Sequence, residues 1–135
     1  MAFVHGKDTF VSLDGDNLST FTKQSSLTDE ADAHDVTAYG QDAHVFSGGL
    51  RNGTAGMEGT YDNTASTGPR GVIAPLIGTV VTFIRQPEGA GAGLPQDEVA
   101  VLVQSYVETN PVADMISWSV QLQLSGTIDR TAQSA

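Results

Sequence analysis

The residue types able to do chemistry are few in this chain and badly spaced for it. His34 and His44 stand ten positions apart with Asp35 and Asp42 between them, and two imidazoles with a carboxylate are a known donor set for a divalent ion. Gly40 interrupts the stretch, so ordinary loop histidines are the plainer reading. Asp14-Gly15-Asp16-Asn17 invites a calcium reading. Counted from Asp14, however, the fifth and sixth positions are Leu18 and Ser19, where an EF-hand loop needs Asp or Asn and then Gly. A plain turn fits better. Ser47 has Val45 where a nucleophile elbow requires glycine. Gly89-Ala90-Gly91 continues into Ala92-Gly93-Leu94 between two strand-like runs, so it opens no helix on which a dinucleotide would sit. The pairs Asp14 with Asp16 and Asp97 with Glu98 have no aromatic neighbour in sequence to raise one pKa for acid–base work. The expectation is no enzyme, no cofactor and no metal site.

Composition narrows the classes further. The 135 residues are the length of one domain, 1–135, able to bury about two-thirds of the surface an unfolded chain exposes. With no cysteine, neither a disulfide framework nor a thiolate metal site is available. No apolar run approaches the roughly 18 residues a membrane span needs, and a soluble protein that makes no use of a membrane is expected. Six basic residues against 16 acidic ones leave a formal charge of -10. Gripping duplex DNA depends on lysine and arginine displacing counterions, so sequence-specific DNA binding is not expected. Acidity that serves solubility alone stays open beside a functional role for it.

The elements that would position any site are mostly strands. Thr9 to Leu13 reads as a short strand ending in the Asp14 turn, and Thr22 to Thr28 as an edge strand with one wet face. Asp29-Glu30-Ala31-Asp32 reads as a solvated loop. Asp35 to Asp62 sets Val36, Thr37 and Tyr39, then a glycine-rich corner, then a strand from Thr54 to Tyr61. That strand alternates Ala55, Met57, Gly59 and Tyr61 on one face against Thr54, Gly56, Glu58 and Thr60 on the other. After a polar loop from Asp62 to Gly68, Pro69 starts a short helix that Pro75 disturbs and Gly78 ends. Thr79 to Arg85 and Glu98 to Val107 are strands, the second placing Val99, Val101, Val103 and Val107 against Ala100, Leu102 and Tyr106. In the last strand Ile116, Trp118, Val120, Leu122 and Leu124 face the core, while Ser117, Ser119, Gln121 and Gln123 present a polar, uncharged face. Gln86 to Asp97 is a glycine- and alanine-rich loop, expected to be mobile alone and to act as an arm toward a neighbouring subunit through Gly89, Gly91, Gly93, Leu94 and Pro95. From about Asp129 the chain reads as a loose tail. The fold expected is mainly β, an antiparallel β-sandwich or partly closed barrel with one short helix.

One stretch carries a resemblance. Asp35-Val36-Thr37, Tyr39-Gly40, Phe46, Gly49-Leu50, Gly53-Thr54 and Gly59-Thr60-Tyr61-Asp62, followed by Trp118 and Gly126, resemble in their order the major tail tube proteins of long-tailed bacteriophages. That resemblance implies a β-sandwich flanked by a helix, in which Val36, Tyr39, Gly40, Phe46, Gly49, Leu50, Gly53, Thr54, Gly59, Tyr61, Trp118 and Gly126 define the fold and bind no ligand. It also implies a structural virion protein of the tail, assembled in the host cytoplasm. Six copies would close into a ring, rings would stack into a tube beside other tail and head-completion proteins, and DNA would pass without specific binding. Ser117, Ser119, Gln121 and Gln123 are the candidate lumen face, since a wall that DNA slides past must not hold it. A capsid decoration or tail-completion protein of similar fold, and an extracellular carbohydrate-binding β-sandwich module, remain as alternatives.

Overall fold

Alternation of apolar and polar residues along paired strands decides the architecture. The computed structural model describes residues 4–63 and 68–133. Its strands are β1 (Phe10–Leu13), β2 (Asp16–Asn17), β3 (Gln24–Asp35), β4 (Phe46–Thr60), β5 (Val80–Gln86), β6 (Pro95–Thr109), β7 (Ser117–Leu124) and β8 (Asp129–Ala132), with one short helix, α1 (Pro69–Ile73), between β4 and β5. All pair antiparallel in the order β2-β1-β5-β6-β7-β4-β3, and β8 joins the N-terminal end of β6. The sheet is not closed into a barrel: β2 and β3 stand at its two ends.

The core lies on one face. Val11 and Leu13 of β1, Phe83 of β5, Val99, Val101 and Val103 of β6, Trp118, Val120 and Leu122 of β7, and Ala55 and Met57 of β4 form one buried cluster. Drawing strands from both ends of the sheet into one cluster means that the sheet curls over itself. Helix α1 adds Pro69, Val72 and Ile73, with proline at its first position, where no amide hydrogen is needed. A 3-10 turn over Ala74–Leu76 follows, and Gly78 closes the segment at φ 86°, as its glycine predicts. The Asp14-Gly15 turn between β1 and β2 has positive φ at both residues, the geometry that a two-residue hairpin prefers.

Three expectations need correction. The acidic run Asp29 to Asp32 belongs to β3, which pairs with β4 through most of its length, rather than to a loop. The chain from Asp129 is strand β8, tied to β6 by the register Pro95 with Ala132 through Glu98 with Asp129, rather than a loose tail. Residues 134–135 of that tail, and 64–67 of the Asp62 to Gly68 loop, lie outside the described residues. In β6 the register against β7 slips at Gln104. This extra residue turns Tyr106 inward, with its ring 6.4 Å from that of Trp118, and leaves Val107 half exposed. A bulge reverses alternation downstream, so Val107 could not share a face with Val103.

Candidate functional site

The polar side of the sheet is built by four adjacent strands. Gln24, Glu58, Ser119 and Val107 align across β3, β4, β7 and β6, and the next row is Ser26, Gly56, Gln121 and Ser105. Thr28, Thr54 and Gln123 continue it toward one end, Thr60, Ser117 and Thr109 toward the other. None of these residues is basic, and Glu58 alone is charged. A shallow trough of about 370 Å³ runs along these rows. Gln123 is fixed, its amide donating to Asn52 Oδ1 and to Gly53 O, both at 2.8 Å. The structure thus brings Ser117, Ser119, Gln121 and Gln123 together and adds partners from β3, β4 and β6 that sequence reading left out. Thr54 and Glu58 showed in the alternation of β4; Ser105 was hidden by the bulge.

Both margins of this four-stranded patch lack a strand partner. Among the described residues no strand pairs with the outer edge of β3, nor with β6 from Gln104 to Thr109 on the side away from β7. An unpaired edge offers backbone donors and acceptors to another chain.

Beyond the body, β3 and β4 continue alone. Residues 46–52 of β4 pair with β3 but pass the end of β7, whose last partner in the ladder is Thr54. The hairpin therefore projects about 25 Å at the usual strand rise. Its tip is ordered by Asp35, which accepts from the Thr37 backbone at 3.0 Å and from its hydroxyl at 2.6 Å; Thr37 in turn accepts from Val45 N–H. Bonding from the Thr37 hydroxyl, with help from His44, holds the Asp35 carboxyl below its ordinary range. His44 Nδ1 lies 3.3 Å from Asp35, whereas His34 lies against Gly49. No group of three or more His, Cys, Asp or Glu side chains gathers for a metal among the described residues.

At the root of the hairpin Asp29 receives Arg130 of β8 at 3.0 Å and Arg51 of β4. These two guanidinium groups, Arg130 foremost, keep its carboxyl below the usual range. Arg130 also lies 3.6 Å from Asp97. On the core side, burial and the nearby Glu108 carboxylate push Tyr106 up to about 12, and Glu108 is 3.7 Å from Arg70.

Neither a family model nor a curated protein sequence matches the chain. Solved structures do. A chain from the SPP1 tail tube superposes with TM-score 0.78 at 10% identity, covering 98% of this chain and 81% of the other. A chain from the tail of an empty gene transfer agent particle with C6 symmetry gives TM-score 0.78 at 18% identity, covering 96% of this chain and 100% of the other. The chain has a tail tube fold. A chain from the native gene transfer agent virion agrees, at TM-score 0.76 and 16% identity over the same coverage. So does one from the sheath–tube complex of an extracellular contractile injection system, at 0.68 and 10% over 97% of this chain and 93% of that.

Within the tail tube fold the residues that carried the resemblance divide into two groups. Trp118 is buried, its indole N–H donating to Phe21 O at 3.1 Å, and Tyr61 packs partly against the core. Gly53 and Gly59 permit close backbone approach, since a Cβ would lie 2.0 Å from Thr28 O or 1.9 Å from Phe21 O. Gly40 turns the hairpin tip at φ 86°, and Gly49 faces the His34 ring. Thr54 lies on the polar face. Val36, Tyr39, Phe46 and Leu50, by contrast, are exposed on the projecting hairpin and touch no core, and Gly126 faces open space. They do not hold the isolated subunit together. The Gly89 to Pro95 segment is also placed differently from the expected arm. Gln133 binds it through Gly91 N–H and the carbonyls of Gly89 and Pro95, its backbone bonds Gly93 and Leu94, and Pro95 itself starts β6.

Proposed function

We propose that this protein is a structural subunit of a tail tube, closing laterally into rings whose polar face lines the bore. The observation that carries the reading is the four-stranded patch with two open margins. Counted from the hairpin end, β3 runs toward it, β4 away, β7 toward and β6 away. Setting β3 of one copy beside the free half of β6 of the next continues the antiparallel alternation without a break. Head-to-tail contacts of this kind close into rings when the rotation permits.

Dimensions support it. One neighbour's tail has C6 symmetry. Four strands from each of six copies, at about 4.8 Å spacing and a tilt of roughly 40°, close into a barrel about 50 Å across at the backbone, with a bore of about 35–40 Å inside the side chains. Such a bore admits a DNA duplex, and the wall formed by Ser117, Ser119, Gln121 and Gln123 with their row partners has no cation to bind phosphate. Catalysis has no place in this account. Its setting would be the virion tail, built in the host cytoplasm, with other tail and head-completion proteins at the tube's ends. Negative-stain imaging of the concentrated purified protein tests it: hollow stacked filaments are expected, and dispersed monomers or solid fibrils at all concentrations would overturn it.

A further inference from the structure

The two open margins of the patch carry its polar face on residues of opposite parity. On β3 these are Gln24, Ser26, Thr28 and Glu30, and on the free half of β6 they are Ser105, Val107 and Thr109. Side chains alternate along a strand, so a neighbouring copy's β3 continues that face only where its even residues meet odd residues of β6. Within one copy a row square to the strands joins Gln24 to Val107. Round a barrel of tilted strands such a row does not return to the residue it left. Crossing four strands at about 4.8 Å with a tilt of roughly 40° slides it about 16 Å along the strand, or about five residues. Parity leaves a step of four or six residues, at tilts of about 35° and about 46°. A step of six would set Asp29 directly opposite Glu108, two like charges. A backward step of four would set the free half of β6 against residues 18–22, ahead of the first residue of β3.

We infer that neighbouring copies in a ring pair with a forward step of four, residues 105–109 of one against 26–30 of the next, so that Thr28 meets Val107 on the bore and Asp29 meets Tyr106 on the outer side. The inference rests on the tube reading and supplies the register of its lateral contact. Handedness gives the same sign. The even residues of β4 carry the polar face and turn their amides toward β3, since the odd residue Tyr61 bonds Ile116 O on the other side. With L-residues and strands coiling right-handed round the axis, that arrangement moves the next β3 forward only when the polar face is inside. A sheet turned inside out would step backward, off the strand.

The chain has no cysteine, which leaves introduced thiols unambiguous. Thr28 and Val107 are both exposed and stand on strands three apart in one copy, about 14 Å at the usual spacing, too far for a disulfide within the chain. Thr28→Cys with Val107→Cys in one chain, assembled and oxidised, is expected to give a reducible ladder of linked copies ending at six. Gln24→Cys with Val107→Cys and Glu30→Cys with Val107→Cys, also at exposed positions, should give no ladder. A ladder from either of those pairs in place of the first, or rings that cross-link in none of the three, would overturn this inference and leave the tube reading standing. Wild-type protein that forms neither rings nor tubes would remove both.

Discussion

Gly53 and Gly59 show how much of this fold depends on backbones meeting without a side chain between them. A methyl group at either would fall about 2 Å from a carbonyl oxygen, of Thr28 or Phe21, well inside contact distance. Gly59→Ala and Gly53→Ala should each cost about 1–3 kcal/mol or more, through overpacking. Gly126→Ala, facing nothing within 4 Å, should stay within about 0.5 kcal/mol; urea midpoints compare the three. Asp29 offers a second test. Its carboxyl is held below the ordinary value of 3.8 by Arg130 and Arg51, so its contribution is fully present above that value and is lost as pH falls through the lower folded value. The wild type should therefore lose stability more steeply than Asp29→Asn on acidification below about pH 4, measured as urea midpoint against pH. Equal slopes would show that the two arginines do not favour the charged form. Little of this pairing was legible in the sequence. The partners of Asp29 lie 22 and 101 positions away, and no local pattern joins them.

Among the elements, β7 was the easiest to read and β3 the hardest, for one physical reason. Trp118, Val120 and Leu122 alternate with Ser117, Ser119 and Gln121 because the strand is wet on one side and buried on the other. β3 beyond Asp29 has no buried face at all, so nothing in its side chains imposes a period of two. It is a strand because β4 pairs with it. β8 was missed for a similar reason, being four exposed residues whose order comes from the ladder to β6 and from Gln133. The loop that Gln133 binds gives the element-scale prediction. Gln133→Ala removes the side-chain acceptor of the Gly91 amide but keeps the backbone acceptor of the Gly93 amide. Hydrogen exchange should quicken at Gly91 and change little at Gly93. Equal protection at both in the variant would mean that the side chain does not hold the loop.

At the scale of the whole molecule, the tail tube fold was legible in the order of its glycines, tyrosines and Trp118, although overall identity to the solved structures is only 10–18%. The role of the exposed members of that series was not legible, since a subunit's sequence does not separate residues that serve its own core from those that meet a neighbour. If the Ser119 and Gln121 face lines the bore, Ser119→Lys with Gln121→Lys should still assemble and should retain DNA with a steep salt dependence, where wild-type tubes retain none. Filter-binding across a salt series reads the difference; variant tubes that also retain none would argue against that placement. The most direct test is a cryo-EM map of filaments grown from the purified protein. The account predicts rings with a hollow axis, β3 of each copy hydrogen-bonded to β6 of the next, and Ser117, Ser119, Gln121 and Gln123 on the inner wall. A map with those four residues on the outer surface, or with no axial channel, would contradict it.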